Sequence, residues 1–115
     1  MKTLSMTRNN DFLRAYRRGK SVSDPCVVCY VTPNRLPVTR LGLTTSKKIG
    51  NAVARNRARR VLRAAYREIA PQILPGYDIV LVARTKTTIT KSTALTPILT
   101  AQLRKLGALQ SKEKE

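Results

Sequence analysis

Residues Lys47–Arg67 read KKIGNAVARNRARRVLRAAYR and include eight Lys or Arg and no acidic residue. From Ala52 onward, small and aliphatic residues recur at helical spacing, which predicts a helix with one apolar stripe. The residues of this stripe are Ala54, Ala58, Val61, Leu62, Ala65 and Ile69. Gly50-Asn51 precedes the stripe and is typical of a turn followed by a helix N-cap. We therefore expect a helix that packs one face on a core and turns a cationic face outward.

The outward face of this helix has a charge that the helix itself does not neutralise. Solvated helices usually place acids four residues from their bases, whereas Glu68 is the only acid near this one. Neighbouring Arg residues repel each other, which makes a merely solvated surface the less favoured interpretation. At this charge density the expected partner is a nucleic acid. Arg57 lies on the opposite flank of the apolar stripe, so a different role stays open for it.

The composition is that of one small and strongly basic domain. The chain has 115 residues, of which 42% are hydrophobic, and a formal net charge of +17. We expect a single nucleic-acid-binding domain over 1–115 with flexible ends at 1–6 and 110–115. No apolar run approaches the roughly 20 residues of a transmembrane helix, and the first residues lack the apolar stretch of a signal peptide. A cytoplasmic protein without a membrane partner is therefore expected.

The order of sequence patterns predicts an α+β fold. The predicted strands are 25–32, 39–46 and 77–83, and a short edge strand is allowed at 20–24. The last of the three is almost continuously aliphatic, which favours a central strand covered on both faces. The predicted helices are a short one that begins near Asn9 and ends at Gly19, the basic helix, and a last one over 92–106. The last helix could instead begin near Thr96, because Pro97 fits best in a first turn.

Cys26 and Cys29 have C-x-x-C spacing but lie in the apolar strand pattern CVVCYV. Residues three apart on a strand point to opposite faces, which suits neither a disulfide nor a shared metal. The chain has no His and no third Cys to complete a zinc site. We therefore expect one buried and one half-buried thiol, and no metal or cofactor bound by the protein alone.

No catalytic site can be assembled from the residue types present. Without His, the chain lacks a base for neutral pH. A two-metal phosphodiester site needs clustered carboxylates, whereas the six acids are scattered along the chain. They are Asp11, Asp24, Glu68, Asp78, Glu113 and Glu115. No G-x-x-x-x-G-K-[ST] or G-x-G-x-x-G phosphate loop occurs either. We assign no catalytic residue.

The run Ser46–Arg57, SKKIGNAVARNR, resembles the SKK-x-G-x-AV-x-RN-R pattern of the bacterial ribonuclease P protein component. The resemblance extends to the length, the order of elements, the first helix with Phe12 and the strand with Tyr30, and it weakens after Arg84. Ala64 is a departure, since the family often has Glu there. This change removes an acid from the helix and leaves the basic face intact.

The resemblance implies the protein subunit of an endoribonuclease that removes the 5′ leader of precursor tRNA. In the family, a large catalytic RNA holds the active-site metals, expected to be Mg²⁺, and one protein is expected per RNA. The family fold is a single α+β domain of order α-β-β-β-α-β-α, with a mixed sheet of three to four strands. It also implies a left-handed crossover at the basic helix, against the right-handed default.

The resemblance assigns two surfaces to this chain. The residues that it implies for binding of the RNA subunit are Lys47, Lys48, Arg55, Asn56, Arg57, Arg59, Arg60, Arg63 and Arg67, with Arg side chains as bidentate phosphate ligands. The residues that it implies for binding of the leader, in a cleft between the first helix and the sheet, are Phe12, Tyr16, Arg17 and Tyr30. Arg14 and Arg18 would add charge nearby. The helix pattern alone favours Phe12 as a core residue, and Tyr30 is ambiguous because its hydroxyl needs solvent or a partner.

Three functions from other classes stay open on charge alone. A structural RNA-binding protein, such as a small ribosomal protein, would share the charge without a preference for the leader, and the SKK run argues against it. A protein-only nuclease would cleave precursor tRNA after all other RNA is removed. A DNA-binding module would share the charge, although nothing resembles a helix-turn-helix.

Overall fold

The computed structural model describes residues 3–110, which form a five-stranded mixed sheet and three helices. The strands are β1 (Thr3–Ser5), β2 (Lys20–Ser23), β3 (Val27–Pro33), β4 (Thr39–Thr44) and β5 (Tyr77–Ala83). The helices are α1 (Asn9–Arg18), α2 (Ala52–Ile69) and α3 (Ser92–Lys105). None of these helices is long and apolar enough to cross a membrane. The α+β prediction is confirmed, with one strand more than the three to four expected.

The strand order across the sheet is β1-β4-β5-β3-β2, so β5 is the central strand, as predicted. β5 pairs antiparallel with β3 and parallel with β4. The edge strands are β2, antiparallel to β3, and β1, parallel to β4. Because α2 connects the adjacent parallel strands β4 and β5, it forms the crossover of the fold. The left-handed sense of that crossover stays a prediction.

The main hydrophobic core lies on the sheet face covered by α2 and α3. Alternate residues of the strands point to this face, among them Cys29 of β3 and Leu81 of β5, both fully buried. The α3 residues that pack there are Leu95, Leu99 and Leu103, with Ile98 and Leu106 partly buried. These five residues recur at helical spacing, as expected for a helix that packs one face on the core.

The opposite face of the sheet is covered by α1 alone. Ala15 of α1 and Val80 of β5 are fully buried there, together with Met6. Tyr16, Tyr30 and other side chains around this small cluster are only partly buried. A ten-residue helix is about 15 Å long, so part of this sheet face stays open beside it.

The expectation that residues 1–6 are flexible is wrong for residues 3–6. Thr3–Ser5 pairs with residues 39–41 of β4, and the Met6 amide donates to the Leu41 carbonyl at 2.8 Å. The reason is that the outer edge of β4 offers unpaired backbone groups, which a short parallel strand satisfies. At the other end, the Gln110 amide donates to the Gln72 carbonyl at 2.9 Å. Residues 1–2 and 111–115 lie outside the described residues.

Pro97 lies inside α3, so the alternative start near Thr96 is wrong. The helix begins at Ser92, and the amides of Ala94 and Leu95 donate to the Lys91 carbonyl in its first turn. Pro97 is exposed, so water can reach the carbonyl that its missing N–H leaves free. Leu95 is buried in the core, and this burial stabilises the first turn of α3, which helix propensity alone disfavours.

Candidate nucleic-acid interface

The KKIGN motif forms a tight turn that leads into α2. Lys47–Ile49 is a 3-10 turn in which both lysines are exposed and the isoleucine is buried. Gly50 follows with φ 135°, a backbone conformation that favours glycine. The Asn51 Oδ1 atom then accepts a hydrogen bond from the Ala54 amide at 2.9 Å, which confirms the predicted N-cap. The motif therefore fixes two lysines immediately before the basic helix.

The apolar stripe of α2 packs on the core as its spacing predicts. Its buried residues are Ala58, Leu62, Ala65, Tyr66 and Ile69, with Ala54 and Val61 partly buried. The small alanines allow α2 to lie close to the sheet and to α3. This orientation directs the Arg-rich side of α2 away from the core.

The cations on that side of α2 have no ion-pair partner among residues 3–110. Ion pairs within residues 3–110 form at Arg14 and Arg40 and at no α2 residue. Arg55 instead donates to the Gly50 carbonyl at 2.7 Å, and Arg59 donates to the Asn56 side chain at 3.1 Å. The exposed residues of the predicted set on α2 are Asn56, Arg57, Arg60, Arg63 and Arg67, and the half-buried ones are Arg55 and Arg59. We name this side, without Arg57 but with the two preceding lysines, the basic face.

Arg57 differs from the other α2 cations. Its Nε atom donates to the Thr88 carbonyl at 2.9 Å, and so contacts the 3-10 turn Thr85–Ile89 that follows β5. The sequence pattern also sets Arg57 apart, because it places Arg57 on the opposite flank of the apolar stripe from the other Arg residues of α2. Arg57 therefore joins two elements, while its charged tip stays exposed.

Tyr16 of α1 and Tyr30 of β3 contact each other between α1 and the sheet. The rings of Tyr16 and Tyr30 meet edge to face, with centroids 5.1 Å apart and an interplanar angle of 74°. The Tyr16 hydroxyl forms a 2.6 Å hydrogen bond with the Thr44 hydroxyl at the end of β4. Val28 and Val82, paired across β3 and β5, are half-buried beside them. This part of the sheet face thus offers partly exposed aromatic and aliphatic surface.

Phe12 is half-buried against a glycine of the sheet. A Cβ atom at Gly42 would lie 2.6 Å from the Phe12 Cε1 atom, so the ring needs a residue without a side chain beneath it. Phe12 also lines a small groove with Met6, Leu43, Arg59 and others. The complete lining is Ser5, Met6, Phe12, Leu41, Leu43, Arg59 and Arg63. The structure therefore brings one of the predicted cleft residues next to two arginines of the basic face.

Arg17 lies apart from the tyrosine pair. It is exposed and lines a shallow groove on the outer side of α1 with Arg14, Arg18 and other residues. Consecutive residues of a helix point about 100° apart, so Arg17 does not share the sheet-facing direction of Tyr16. Of the predicted cleft residues, the structure brings Phe12, Tyr16 and Tyr30 together and leaves Arg17 at the flank.

Sequence reasoning missed an ion-pair cluster beneath α1. Arg40 of β4 binds both carboxylate oxygens of Asp78 on β5 and reaches Asp11 of α1 at 3.1 Å. The hydrogen bond to Asp78 is the main cause that raises the pKa of Arg40, and burial opposes it. Asp78 is fully buried and also accepts from Asn34 Nδ2 at 2.9 Å. The sequence did contain a signal for this cluster. Asp78 lies inside an aliphatic strand, and a buried acid requires a partner.

The two cysteines have the burial that the sequence predicts, but they do not point to opposite faces, because Cys26 precedes β3 and packs against the same core as Cys29. Both are free thiols; Cys29 is fully buried and Cys26 is half-buried. Burial raises the pKa of the Cys29 thiol from 9.0 to about 12, so the group stays protonated at neutral pH. Within residues 3–110, no three His, Cys, Asp or Glu side chains are grouped so that they could hold a metal ion.

The chain resembles known proteins along most of its length. The profile of the family Ribonuclease P matches residues 1–107. The ribonuclease P protein component of Clostridioides difficile (strain 630) is 42% identical over 84 residues, which are 72% of this chain and 74% of the relative. That of Natranaerobius thermophilus is 40% identical over 81 residues, 70% of each chain.

Solved structures share the fold as well. The Staphylococcus aureus RNase P protein superposes with a TM-score of 0.81 at 31% identity, covering 95% of this chain and all of that one. The RNase P protein from Thermotoga maritima gives a TM-score of 0.75 at 27% identity, covering 87% of this chain and 96% of that one. The likeness in fold therefore extends over most of the chain.

Proposed function

This chain belongs to the ribonuclease P protein component family, and from that we propose how its two surfaces serve a ribonucleoprotein that processes tRNA. The basic face binds the RNA subunit of ribonuclease P. The cleft with Tyr16 and Tyr30 binds the single-stranded 5′ leader of precursor tRNA. The protein thereby holds the substrate against the RNA, which cleaves the leader to give the mature 5′ end.

The unneutralised charge of the basic face is the observation that supports this proposal most. Its contact residues would be Lys47, Lys48, Arg55, Asn56, Arg59, Arg60, Arg63 and Arg67. A row of Arg guanidinium groups without ion-pair partners among residues 3–110 fits a phosphate backbone, which Arg binds with two parallel hydrogen bonds. Contacts of this kind position the two molecules and need no particular base sequence.

The cleft suits a single strand for a different reason. Aromatic rings stack with any base, at roughly 1–3 kcal/mol per base, so they accept leaders of varied sequence. Tyr16 and Tyr30 offer such surface, and Phe12 joins the cleft to the groove lined by Arg59 and Arg63. A leader in the cleft would therefore lie close to an RNA bound on α2. Arg17, with Arg14 and Arg18, would attract the strand from the outer side of α1.

Catalysis is assigned to the RNA subunit, with Mg²⁺ bound there and none required by the protein alone. The supporting fact is the chain's chemistry, which has no His and only six acids. Two of those acids, Asp11 and Asp78, bind Arg40. We assign one protein to each RNA. We also assign a cytoplasmic location, because the proposed RNA partners are made in the bacterial cytoplasm.

The test is multiple-turnover cleavage of a precursor tRNA at near-physiological Mg²⁺. Three samples are compared: the protein alone, a bacterial ribonuclease P RNA alone, and both together. We expect cleavage that needs the RNA and is strongly raised by the protein. If the mixture matches the RNA alone while circular dichroism shows folded protein, a general RNA-binding role replaces this one. Cleavage by the RNA-free protein would instead indicate a protein-only nuclease.

A further inference from the structure

Within residues 3–110, Arg57 is the α2 cation whose side-chain hydrogen bond reaches a distant element of the fold. Arg55 and Arg59 donate to Gly50 and Asn56, both within or next to α2. Arg57 donates through Nε to the Thr88 carbonyl, 31 residues further along the chain, at 2.9 Å. Because Nε donates this bond, the contact with Thr88 orients the guanidinium plane of Arg57 toward the turn and away from the basic face.

The 3-10 turn Thr85–Ile89 is fixed on its inner side by threonine hydroxyls. Thr87 is fully buried; its Oγ1 donates to the Cys26 carbonyl and accepts from the Arg84 amide. The Thr90 hydroxyl donates to the Lys86 carbonyl at 2.6 Å. On its outer side, the turn is joined to α2 by Arg57. The segment is thus an ordered platform that Thr87 fixes on the inner side and that one exposed side chain, Arg57, joins to α2.

This platform presents apolar surface among cations. Ile89 is 79% exposed and Val53 is 73% exposed, more than the other large hydrophobic residues described as exposed. Val53 lies one turn before Arg57 on the same flank of α2, and Ile89 follows the Thr88 that Arg57 binds. Lys86 is exposed on the same turn, and the stretch 84–91 contains no acid. Aliphatic side chains among unneutralised cations fit ribose and base edges flanked by phosphates.

We propose that Arg57 is a positioning residue that holds the turn Thr85–Ile89 against α2, so that Lys86, Ile89 and Val53 form a second contact surface for the RNA bound by the basic face. This inference rests on the proposed function, because it takes the RNA subunit as the ligand. Charge complementarity selects RNA over a protein partner, since a patch bordered by Lys86 and Arg57 without an acid attracts a polyanion.

Two substitutions of Arg57 separate positioning from direct phosphate binding. The Nε2 atom of Gln is as many bonds from Cα as the Nε atom of Arg, so Arg57→Gln keeps a donor for the Thr88 carbonyl and removes the charge. Arg57→Lys keeps the charge and has a carbon at that position. We expect Arg57→Lys to weaken binding of ribonuclease P RNA by about fivefold, equivalent to one lost hydrogen bond. Arg57→Gln should retain more affinity than Arg57→Lys.

Lys86 and Ile89 provide a readout that a structural role alone would not change. Lys86→Ala should lower the slope of log affinity against log salt by about one unit in the native background, and by less when combined with Arg57→Lys. Ile89→Ser should weaken binding without changing that slope. Leu36→Ser is the matched control, since Leu36 is 41% exposed in the turn at the opposite end of β5. It should leave affinity unchanged.

The outcomes also distinguish this inference from the proposed function. If the native chain does not bind the RNA, or Arg59→Ala has no effect, the basic face is wrongly assigned. If those results hold and Arg57→Gln loses more affinity than Arg57→Lys, Arg57 is a direct phosphate ligand and the positioning role is overturned. Unchanged affinity and slope for both Lys86→Ala and Ile89→Ser would overturn the second surface.

Discussion

Arg40 and Asp78 face each other on the neighbouring parallel strands β4 and β5 and form an ion pair with two hydrogen bonds. The Arg40 Nε atom donates to one carboxylate oxygen at 2.8 Å, and Nη2 donates to the other at 2.7 Å. Arg40 also binds Asp11, which lies on α1 one residue before Phe12. Arg40 therefore connects the central strand to the helix that carries Tyr16, so it supports the geometry of the candidate leader site.

Loss of Arg40 should destabilise the fold strongly. Arg40→Ala leaves the fully buried carboxylate of Asp78 without its cation, which costs about 3–5 kcal/mol for a buried pair. Because Arg40 is itself 19% exposed, the lower end of that range is expected. Denaturant unfolding gives the free energy. The double variant Arg40→Ala/Asp78→Asn should recover part of the loss, and a double variant no better than the single one would contradict this explanation.

The basic face should show the salt dependence of phosphate contacts. Arg59→Ala or Arg60→Ala should weaken binding to the ribonuclease P RNA and lower the slope of log affinity against log salt by about one unit per lost contact. Filter binding at several salt concentrations measures both quantities. Arg104→Ala is the control, since it removes the same charge from the end of α3. A slope unchanged from that of the native chain would argue against direct contact by the α2 residue.

The tyrosine pair should affect precursor tRNA more than mature tRNA. Tyr16→Ala or Tyr30→Ala removes a stacking ring, so binding of a precursor with a leader should weaken by roughly 1–3 kcal/mol. Mature tRNA has no leader and should lose little. Tyr16→Phe is the matched variant: it keeps the ring and removes the hydrogen bond to Thr44, so it should retain most of the affinity. Equal losses for both tRNAs would remove the cleft from the leader site.

The raised pKa of Cys29 should make stability fall in alkaline solution. The folded thiol has a pKa of about 12 and the ordinary value is 9.0, so above pH 9 the unfolded state releases a proton that the folded state keeps. Stability from this group is thus complete below pH 9 and decreases by up to about 1.4 kcal/mol per pH unit above it.

Cys29→Val is the control for this pH effect, since it fills similar space without a titrating group. The difference in unfolding free energy between the native chain and Cys29→Val, measured from pH 8 to pH 11, should move against the native chain as pH rises. A difference that stays constant across this range would show that the thiol is not protected by burial. The folded native chain should also resist alkylation at Cys29 at neutral pH.

Patterns within short stretches of the chain predicted much of the fold. The apolar stripe of α2, its Asn51 cap and the central position of β5 depend on residues a few positions apart, so spacing and side-chain chemistry suffice to recognise them. The basic face was predictable for the same reason, because a helix that buries its alanines and leucines must expose the residues between them. The resemblance of the run Ser46–Arg57 to the family pattern then indicated the family.

Other features depend on residues far apart in the chain. β1 forms because β4 has an open edge, and Pro97 is tolerated inside α3 because Leu95 and Leu99 are buried in the core. A pattern of neighbouring residues shows neither that a strand edge is open nor that a helix packs on a distant part of the core. Arg17 shows the reverse case, since the resemblance grouped it with Tyr16, while the rotation of the helix turns it to the outer side.

Sequence patterns alone were enough to indicate a basic α+β domain of the ribonuclease P protein family with an Arg-rich helix and no His. Which of its charges are paired within residues 3–110 depends on the packing of distant elements. Arg40 is bound between Asp11 and Asp78, and Arg57 is bound to Thr88, whereas the remaining arginines of α2 find no carboxylate among residues 3–110. The physical reason is that an ion pair or a hydrogen bond depends on distances of about 3 Å, and these are set by how the sheet and helices pack.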